Sequence, residues 1–188
     1  MYETDGFAGA IQLVKRSHRV AFAALPLLLV SLWSAGANAT PVLMSANWGG
    51  MACDAWNGNS ALTEDLGASG WAENSGERGH KVLHLYRNDC GDTPSAELRI
   101  ELKDGLAQCV YGGAVETTAL NDNVDYVMHA TTKRWQEMGA GDYGPMRAMM
   151  FGRLKFAGPK WEAMKNMGPF EHFLLLAGAV DADTDACP

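Results

Sequence analysis

Residues 131–167 read TTKRWQEMGAGDYGPMRAMMFGRLKFAGPKWEAMKNM, and this stretch decides the fold. It holds six of the chain's ten methionines, Met138, Met146, Met149, Met150, Met164 and Met167. Methionine is unbranched and polarizable, so a cluster of methionines fills irregular apolar space and adapts to what enters it. The crowding therefore indicates an apolar binding cavity, with an ordinary closed core as the alternative.

The order of elements within this stretch can be predicted from its turn residues. A first helix ends in the glycine-rich residues 139–144, and Pro145 suits the first position of a second, short helix. Residues 152–158, GRLKFAG, alternate as a strand, and Pro159 opens a third helix. These three elements are expected to turn their large apolar side chains inward around one strand.

Upstream of this stretch, alternating apolar and polar residues predict further strands. They lie at residues 81–87, 96–102, 106–111 and 124–130, with Asp104-Gly105 as a hairpin turn between the second and third. Strands joined by short loops pair antiparallel, whereas the helices that come later in the chain must pack on the sheet. The predicted class is α+β, a single domain with a five-stranded, largely antiparallel sheet and helices covering one face.

The first residues carry the features of an export signal. Lys15, Arg16 and Arg19 precede the apolar residues 20–33, and Ala37-Asn38-Ala39 has the small-x-small form of a signal-peptidase site. We expect cleavage after Ala39 and a periplasmic or extracellular mature chain. The alternative is an uncleaved anchor, which the shortness of the apolar run disfavours, since about 20 residues are needed to span a bilayer.

Without residues 1–39 the chain has 12 basic and 20 acidic residues, a formal charge of −8. An acidic domain without a basic stripe is a poor candidate for nucleic acid or for anionic membrane surfaces. Nucleic acid is therefore not an expected partner. A transient membrane contact stays open, and a protein partner cannot be named.

All four cysteines, Cys53, Cys90, Cys109 and Cys187, lie in the predicted mature chain. In an exported protein an even number of cysteines indicates disulfides, here two, for which three pairings exist. Proximity across a predicted hairpin region favours Cys90 with Cys109, which leaves Cys53 with Cys187. The alternative, a zinc site, is disfavoured because no CxxC pair is present.

One series of residues resembles the C-terminal half of the sterol carrier protein type 2 domain: Trp135, Gly139 or Gly141, Pro145-Met146, Ala148-Met149, Gly152, Leu154, Phe156, Gly158 and Ala163-Met164. The resemblance covers about residues 124–176. It implies a five-stranded mixed sheet with helices, enclosing an apolar tunnel that holds sterols, fatty acyl chains or other lipids without converting them. The export signal, the cysteines and an extra N-terminal region depart from the familiar intracellular members.

We expect the chain to divide into a signal peptide (1–39), an N-terminal helical region and loop (40–79), a lipid-binding domain of this family (80–178) and an acidic tail (179–188). Residues 181–185 of the tail are expected to be loose, except where Cys187 anchors them. The expected tunnel lining is Trp135, Met138, Met146, Met149, Met150, Phe151, Leu154, Phe156, Met164, Met167, Phe170 and Phe173. Arg147 and Arg153 are the candidate contacts for a lipid headgroup, with a solvated face as the alternative.

No arrangement of residues predicts catalysis, a metal or a cofactor. Residues 139–144 satisfy GxGxxG, but a helix precedes them and Pro145 follows, whereas a dinucleotide site requires a strand and then a helix. The histidines form no metal motif, and no nucleophile stands with a base. The sequence thus predicts a non-catalytic protein that binds, and could carry, a sterol, fatty acyl lipid or quinone. The alternative is an interaction module that receives a partner protein in the same apolar groove.

Overall fold

A computed structural model describes residues 40–188, so the predicted signal peptide lies outside the described residues. The described range contains five strands, six α-helices and two short helical turns. Within it, no helix is both long enough and apolar enough to cross a membrane.

Five strands form one mixed sheet in the order β3-β2-β1-β4-β5. They are β1 Lys81–Arg87, β2 Ala96–Lys103, β3 Leu106–Gly113, β4 Tyr126–Ala130 and β5 Lys155–Ala157. Three neighbouring pairs are antiparallel, and β1 pairs with β4 in parallel. The α+β class and the largely antiparallel five-stranded sheet are therefore confirmed. The parallel pair arises because residues 114–125 carry the chain from the β3 edge back across the sheet.

Two turns show how local chemistry sets the strand ends. Asp104 and Gly105 both have positive φ, 52° and 79°, as the predicted tight hairpin between β2 and β3 demands. The strand predicted at residues 152–158 is shorter than expected. The amides of Arg153 and Leu154 donate to the carbonyl of Ala148, at 2.8 and 3.0 Å, and so close the preceding helix instead of joining the sheet.

Six α-helices accompany the sheet: α1 Ala46–Asn57, α2 Leu66–Ala68, α3 Thr132–Gly139, α4 Pro145–Met150, α5 Lys160–Lys165 and α6 Met167–Ala179. A π-helical turn spans Ala61–Asp65 and a 3₁₀ turn spans Gly76–Arg78. The side chains of Ser45 and Thr131 accept from Trp48 N and Arg134 N and so cap α1 and α3, while Pro145 begins α4.

The main core lies between one face of the sheet and the helices. Leu83, Leu85, Leu98 and Met128 supply the sheet side and are almost completely buried. Among the described residues, three tryptophans are fully buried, Trp48, Trp56 and Trp135. Two of them also satisfy their indole N–H, since Trp56 donates to the carbonyl of Ala107 at 2.8 Å and Trp135 donates to that of Tyr86 at 3.0 Å.

Residues 114–124, which we call the strap, pack on the second face of the sheet at β2. Its attachment is the buried carboxylate of Glu97, which accepts from Thr117 N and Oγ1, both at 2.8 Å, from Glu116 N at 3.0 Å and from Arg99 Nε at 2.7 Å. Burial acts to raise the pKa of Glu97, but these hydrogen bonds outweigh it and hold the pKa at about 2. Glu97 therefore anchors the strap as a carboxylate.

All four cysteines form disulfides, but the favoured pairing is wrong. The bonds join Cys53 to Cys109 and Cys90 to Cys187, with Cα–Cα distances of 5.4 and 5.5 Å. Cys90 follows β1 and Cys109 lies on β3, and β2 runs between these strands, so the two cysteines cannot meet. Instead α1 packs on β3 and brings Cys53 to Cys109.

The acidic tail is held in place, contrary to the expectation that it is loose. The backbone of Asp183 exchanges hydrogen bonds with Pro41 and Leu43, both at 2.8 Å. The buried guanidinium of Arg87 donates to the carbonyls of Thr184, at 3.0 Å, and Ala186. Together with the disulfide to Cys90, these contacts tie the two ends of the described chain to the sheet.

Candidate functional site

The methionine-rich stretch surrounds an open apolar pocket of about 460 Å³, which we call the outer pocket. This volume lies in the range of about 300–1,000 Å³ that is typical of ligand sites. Its walls are Met146, Met149, Met150, Gly152, Leu154, Lys155, Phe156, Lys160 and Met164. Six of these residues are among those predicted to line a tunnel.

Local structure explains how the outer pocket forms. Gly152 has φ of 62°, a conformation that glycine adopts without strain, and the chain reverses there after α4. Leu154 is thereby buried at 2% exposure, and Phe156 follows on β5, opposite Met128 of β4. α5 then supplies Met164. One tight turn therefore brings α4, β5 and α5 around the same space.

The methionines are placed differently from the expectation that they turn inward. Met146, Met150 and Met164 are 44%, 73% and 48% exposed. They lie at the edge of the outer pocket, where water reaches them, because α4 and α5 are each only six residues long and bury few side chains.

A second, inner cavity lies next to the outer pocket, between the sheet and α6. Its volume is about 30 Å³, room for roughly two water molecules. Three of the residues expected to line a tunnel, Phe156, Phe170 and Phe173, line this cavity, and Phe156 also lines the outer pocket. The family resemblance implies a single tunnel, whereas the structure has two adjoining cavities that share the phenyl ring of Phe156.

Six aromatic side chains form a closed ring around the inner cavity. Successive ring centroids lie 5.3 to 6.2 Å apart in the order Trp56, Trp71, Tyr126, Phe156, Phe170, Phe173 and back to Trp56. The first three of these residues were not predicted as site residues. Trp71 stands alone in a glycine-rich loop, and this isolated large aromatic was the available signal.

A buried polar network contacts Tyr126 and Trp71, two of the residues that line the inner cavity. The Lys81 ammonium has no exposed surface and donates to Glu162 Oε1 at 2.7 Å and to the carbonyl of Val124 at 3.0 Å. It also lies 4.9 Å from the centre of the Trp71 ring. Burial lowers the pKa of Lys81, and the carboxylate of Glu162 opposes that change.

Glu162 collects three donors in all. Tyr126 Oη donates to its Oε1, and Asn74 Nδ2 donates to its Oε2 at 2.8 Å. Burial, and then the neighbouring carboxylate, raise the pKa of Tyr126, so the phenol keeps its proton and acts as a donor. Because Glu162 belongs to α5, the network fastens that helix to the sheet.

α5 has few other attachments. Ala163 is its one buried residue, and Trp161 is 69% exposed. The polar network therefore determines where α5, and with it one wall of the outer pocket, is held.

The other predicted lining residues lie outside both cavities. Trp135 and Met138 are each 1% exposed and belong to the core under α3, because the indole of Trp135 is bound to the backbone of β1. Phe151 borders a neighbouring basic pocket, and Met167 borders a shallow one beside α4. None of these four residues lines the outer pocket or the inner cavity.

The predicted headgroup arginines also lie beside the outer pocket rather than in it. The Arg153 guanidinium lies 4.3 Å from the centre of the Tyr143 ring and borders the basic pocket, and Arg147 borders the shallow pocket with Met167. The cations that do line the outer pocket are Lys155 and Lys160.

Three of the described histidines have structural contacts. His84 Nε2 lies 3.1 Å from Glu97, His172 Nδ1 lies 3.3 Å from Asn59, and His129 stacks on Tyr86 at 4.4 Å. In the part of the chain that the structure describes, no group of three or more acidic, histidine or cysteine side chains is arranged to hold a metal ion. The GxGxxG residues join α3 to α4 with no strand before them.

Comparisons with known proteins match this chain to one family. The family model described as "SCP-2 sterol transfer family" matches residues 66–171, more than half of the chain. A crystal structure of sterol carrier protein 2 is 21% identical, with a TM-score of 0.47, over 73% of this chain and 98% of that one.

Two further solved structures are similar over part of this chain. A conserved hypothetical protein of Thermus thermophilus, described as a candidate sterol carrier protein, is 22% identical, with a TM-score of 0.45, over 75% of this chain and 91% of that one. The apo form of sterol carrier protein 2 from Yarrowia lipolytica is 18% identical, with a TM-score of 0.38, over 68% and 88%. Among curated proteins, none matches the chain.

Proposed function

Because this chain belongs to the SCP-2 sterol transfer family, we propose that it binds a hydrophobic lipid in the outer pocket and carries it without converting it. The observation that supports the proposal best is the outer pocket, about 460 Å³ of largely apolar space beside the aromatic ring. A sterol, a fatty acyl lipid and a quinone are the candidate ligands.

The size of the apolar contact is sufficient for useful affinity. Burying roughly 400 Å² of ligand surface at about 25 cal/mol per Å² contributes a gross ~10 kcal/mol. Lost motional freedom on association removes several kcal/mol of this, which leaves affinity in the micromolar range. Binding at this strength suits a carrier, because the ligand must also be released.

The phenyl ring of Phe156 separates the outer pocket from the inner cavity, and its movement would let a ligand enter both. Phe156 is half-buried and lies 5.3 Å from Tyr126 and 5.9 Å from Phe170, measured between ring centroids. In the proposal a rotation of this one side chain joins the inner cavity to the outer pocket. A long acyl chain then reaches the six aromatic side chains around the inner cavity, while a short one stays in the outer pocket.

The proposed setting is an oxidising compartment outside the cytoplasm. Both disulfides are compatible with an exported protein, because such bonds form and persist where thiols are not kept reduced. In that compartment a carrier shields an apolar molecule from water between its uptake and its release.

The test is saturable uptake of fluorescent fatty acid, sterol and quinone probes by delipidated protein, with native mass spectrometry of the protein as first purified. Met164→Glu places a carboxylate against the ligand and should weaken uptake roughly tenfold or more. Met51→Glu is the matched control. Met51 is 46% exposed, close to the 48% of Met164, but it lies on α1 and does not line the outer pocket. The control should leave uptake unchanged.

Two results would overturn the proposal. One is the absence of saturable uptake for all three probe classes, and the other is equal uptake by the two glutamate variants. A co-purifying polypeptide without any small hydrophobe would instead support the alternative, an interaction module whose groove receives a partner segment.

A further inference from the structure

The charge of the described chain is very unevenly distributed. Residues 145–165 contain five basic residues and one acidic residue, a formal +4, while the other described residues contain seven basic and nineteen acidic, a formal −12. The whole-chain charge, which disfavours an anionic membrane as a partner, averages over these two regions. One short stretch of an acidic protein is therefore strongly basic.

The five basic residues of this stretch have no acidic partner among the described residues. Every salt bridge between described residues uses other cations, and none involves Arg147, Arg153, Lys155, Lys160 or Lys165. The one acid of the stretch, Glu162, is already bound to Lys81. The positive charge is thus available to an external anion.

The same stretch also exposes an unusual amount of apolar surface. Eight large hydrophobic side chains are exposed in the described part of the chain, and five of them belong to this stretch: Met146, Met150, Phe151, Trp161 and Met164. Phe151 and Trp161 are each 69% exposed. Large aromatic side chains of this kind are enriched where protein meets the membrane interface.

Part of this exposed surface surrounds the mouth of the outer pocket. Met146, Met150, Met164, Lys155 and Lys160 line the outer pocket itself. Phe151 borders the basic pocket that adjoins it at Gly152 and Lys155. We call this cationic and apolar surface, residues 145–165, the rim.

Cations and aromatic rings also lie side by side on the rim. Lys165 Nζ is 5.6 Å from the centre of the Trp161 ring, and the Arg153 guanidinium is 6.0 Å from that of Phe151. An aromatic body that enters the lipid interface beside a cation that meets the headgroups is the pattern of peripheral membrane binding.

We infer that the rim docks on anionic lipid bilayers and places the mouth of the outer pocket against the membrane. The positive rim matches the negative surface of such a bilayer, while the strongly acidic remainder of the chain is repelled and faces away. A second copy of the chain is a poorer occupant, because a symmetric contact would place two positive rims against each other. Docking explains why the apolar residues of the rim are left exposed to water.

The test compares binding of the expected mature chain, residues 40–188, to phosphatidylcholine vesicles, with and without about one third phosphatidylglycerol, by flotation. Each lysine near an anionic surface strengthens binding by about fivefold, so Lys155→Gln/Lys160→Gln should weaken it roughly 20- to 30-fold. The matched control, Lys103→Gln/Lys133→Gln, removes two exposed lysines outside the rim and should change binding less than about twofold. Binding of the unaltered chain should fall steeply with added salt.

Tryptophan fluorescence gives a second, local readout. Of the tryptophans in the described part of the chain, Trp48, Trp56, Trp71 and Trp135 are buried, and Trp161 is exposed. Anionic vesicles should shift its emission to the blue, and Trp161→Phe should remove that shift while keeping flotation within about threefold, since an aromatic anchor remains.

Equal flotation of the two lysine variants would overturn the inference, as would equal binding to neutral and anionic vesicles. A solution dimer that only the rim variant disrupts, without vesicle binding, would reassign the rim to self-association, and capture of a single polypeptide would reassign it to a protein partner. Probe uptake in solution tests the outer pocket without vesicles, so failure of either proposal can be told from failure of the other.

Discussion

The attachment of α5 depends on a buried ion pair, and this pair can be measured with a double-mutant cycle. Lys81 Nζ is excluded from solvent and donates to Glu162 Oε1 at 2.7 Å. Glu162→Gln removes the negative charge, and the buried ammonium is left with neutral partners alone: the introduced amide oxygen, the carbonyl of Val124 and the face of Trp71. Breaking a buried pair in this way costs about 3–5 kcal/mol of unfolding free energy.

Partial exposure places the expected loss at the low end of that range. The Glu162 side chain is 19% exposed, so water relieves part of the lost interaction, and we expect about 3 kcal/mol for Glu162→Gln. Lys81→Met leaves a carboxylate that still accepts from Tyr126 and Asn74 and reaches solvent, and should cost about 2 kcal/mol. The double variant should lose about 3 kcal/mol, which gives a coupling energy of about 2 kcal/mol.

The assay is urea unfolding of the four proteins at neutral pH, together with hydrogen exchange of the α5 peptide. Glu162→Gln should speed exchange in α5 more than in α6, because α5 buries little besides Ala163. A loss below about 1 kcal/mol for Glu162→Gln, or additive losses within about 0.5 kcal/mol, would refute the reasoning. Unchanged exchange in α5 would show that the network does not hold the helix.

Three other predictions concern the strap, the tail and the shared phenyl ring. The folded pKa of Glu97, about 2, lies below its ordinary 4.5, so its carboxylate stabilises the fold above pH 4.5 by up to about 3 kcal/mol, and this is lost as pH falls from 4.5 towards 2. Urea midpoints should follow that window in the unaltered chain, and an equal pH slope in Glu97→Gln would contradict the assignment. Cys90→Ser/Cys187→Ser opens a cross-link between residues 97 apart and should lower the unfolding free energy by about 4 kcal/mol without changing probe uptake, since neither cysteine lines the outer pocket. A calorimetric change below about 1 kcal/mol would show that the backbone contacts of the tail suffice. Phe156→Ala should strengthen uptake of long-chain over short-chain acyl probes, because it joins the two cavities, and an unchanged preference would show that they stay separate.

Much of the local structure could be predicted from the chain itself. The alternation of residues 81–87 matches β1 at both ends, and Asp104-Gly105 forms the predicted turn. Pro145 and Pro159 mark the starts of α4 and α5. These features were predictable because backbone preference and side-chain alternation act over a few residues. The placement of an apolar pocket at the methionine-rich stretch has the same origin.

Contacts between distant residues were decided by the tertiary structure. Sequence allowed three disulfide pairings, and the position of β2 between β1 and β3 selects among them. The aromatic ring joins Trp56 and Trp71 to Phe156, and Glu162 meets Lys81 across 81 positions. No periodicity encodes such meetings, since they depend on strand order and on where α6 packs. The sequence by itself determined which helices and strands form. It also placed a cluster of apolar residues in the second half of the chain. Only the closure of distant segments on one sheet determined which of them became buried core and which became the exposed rim.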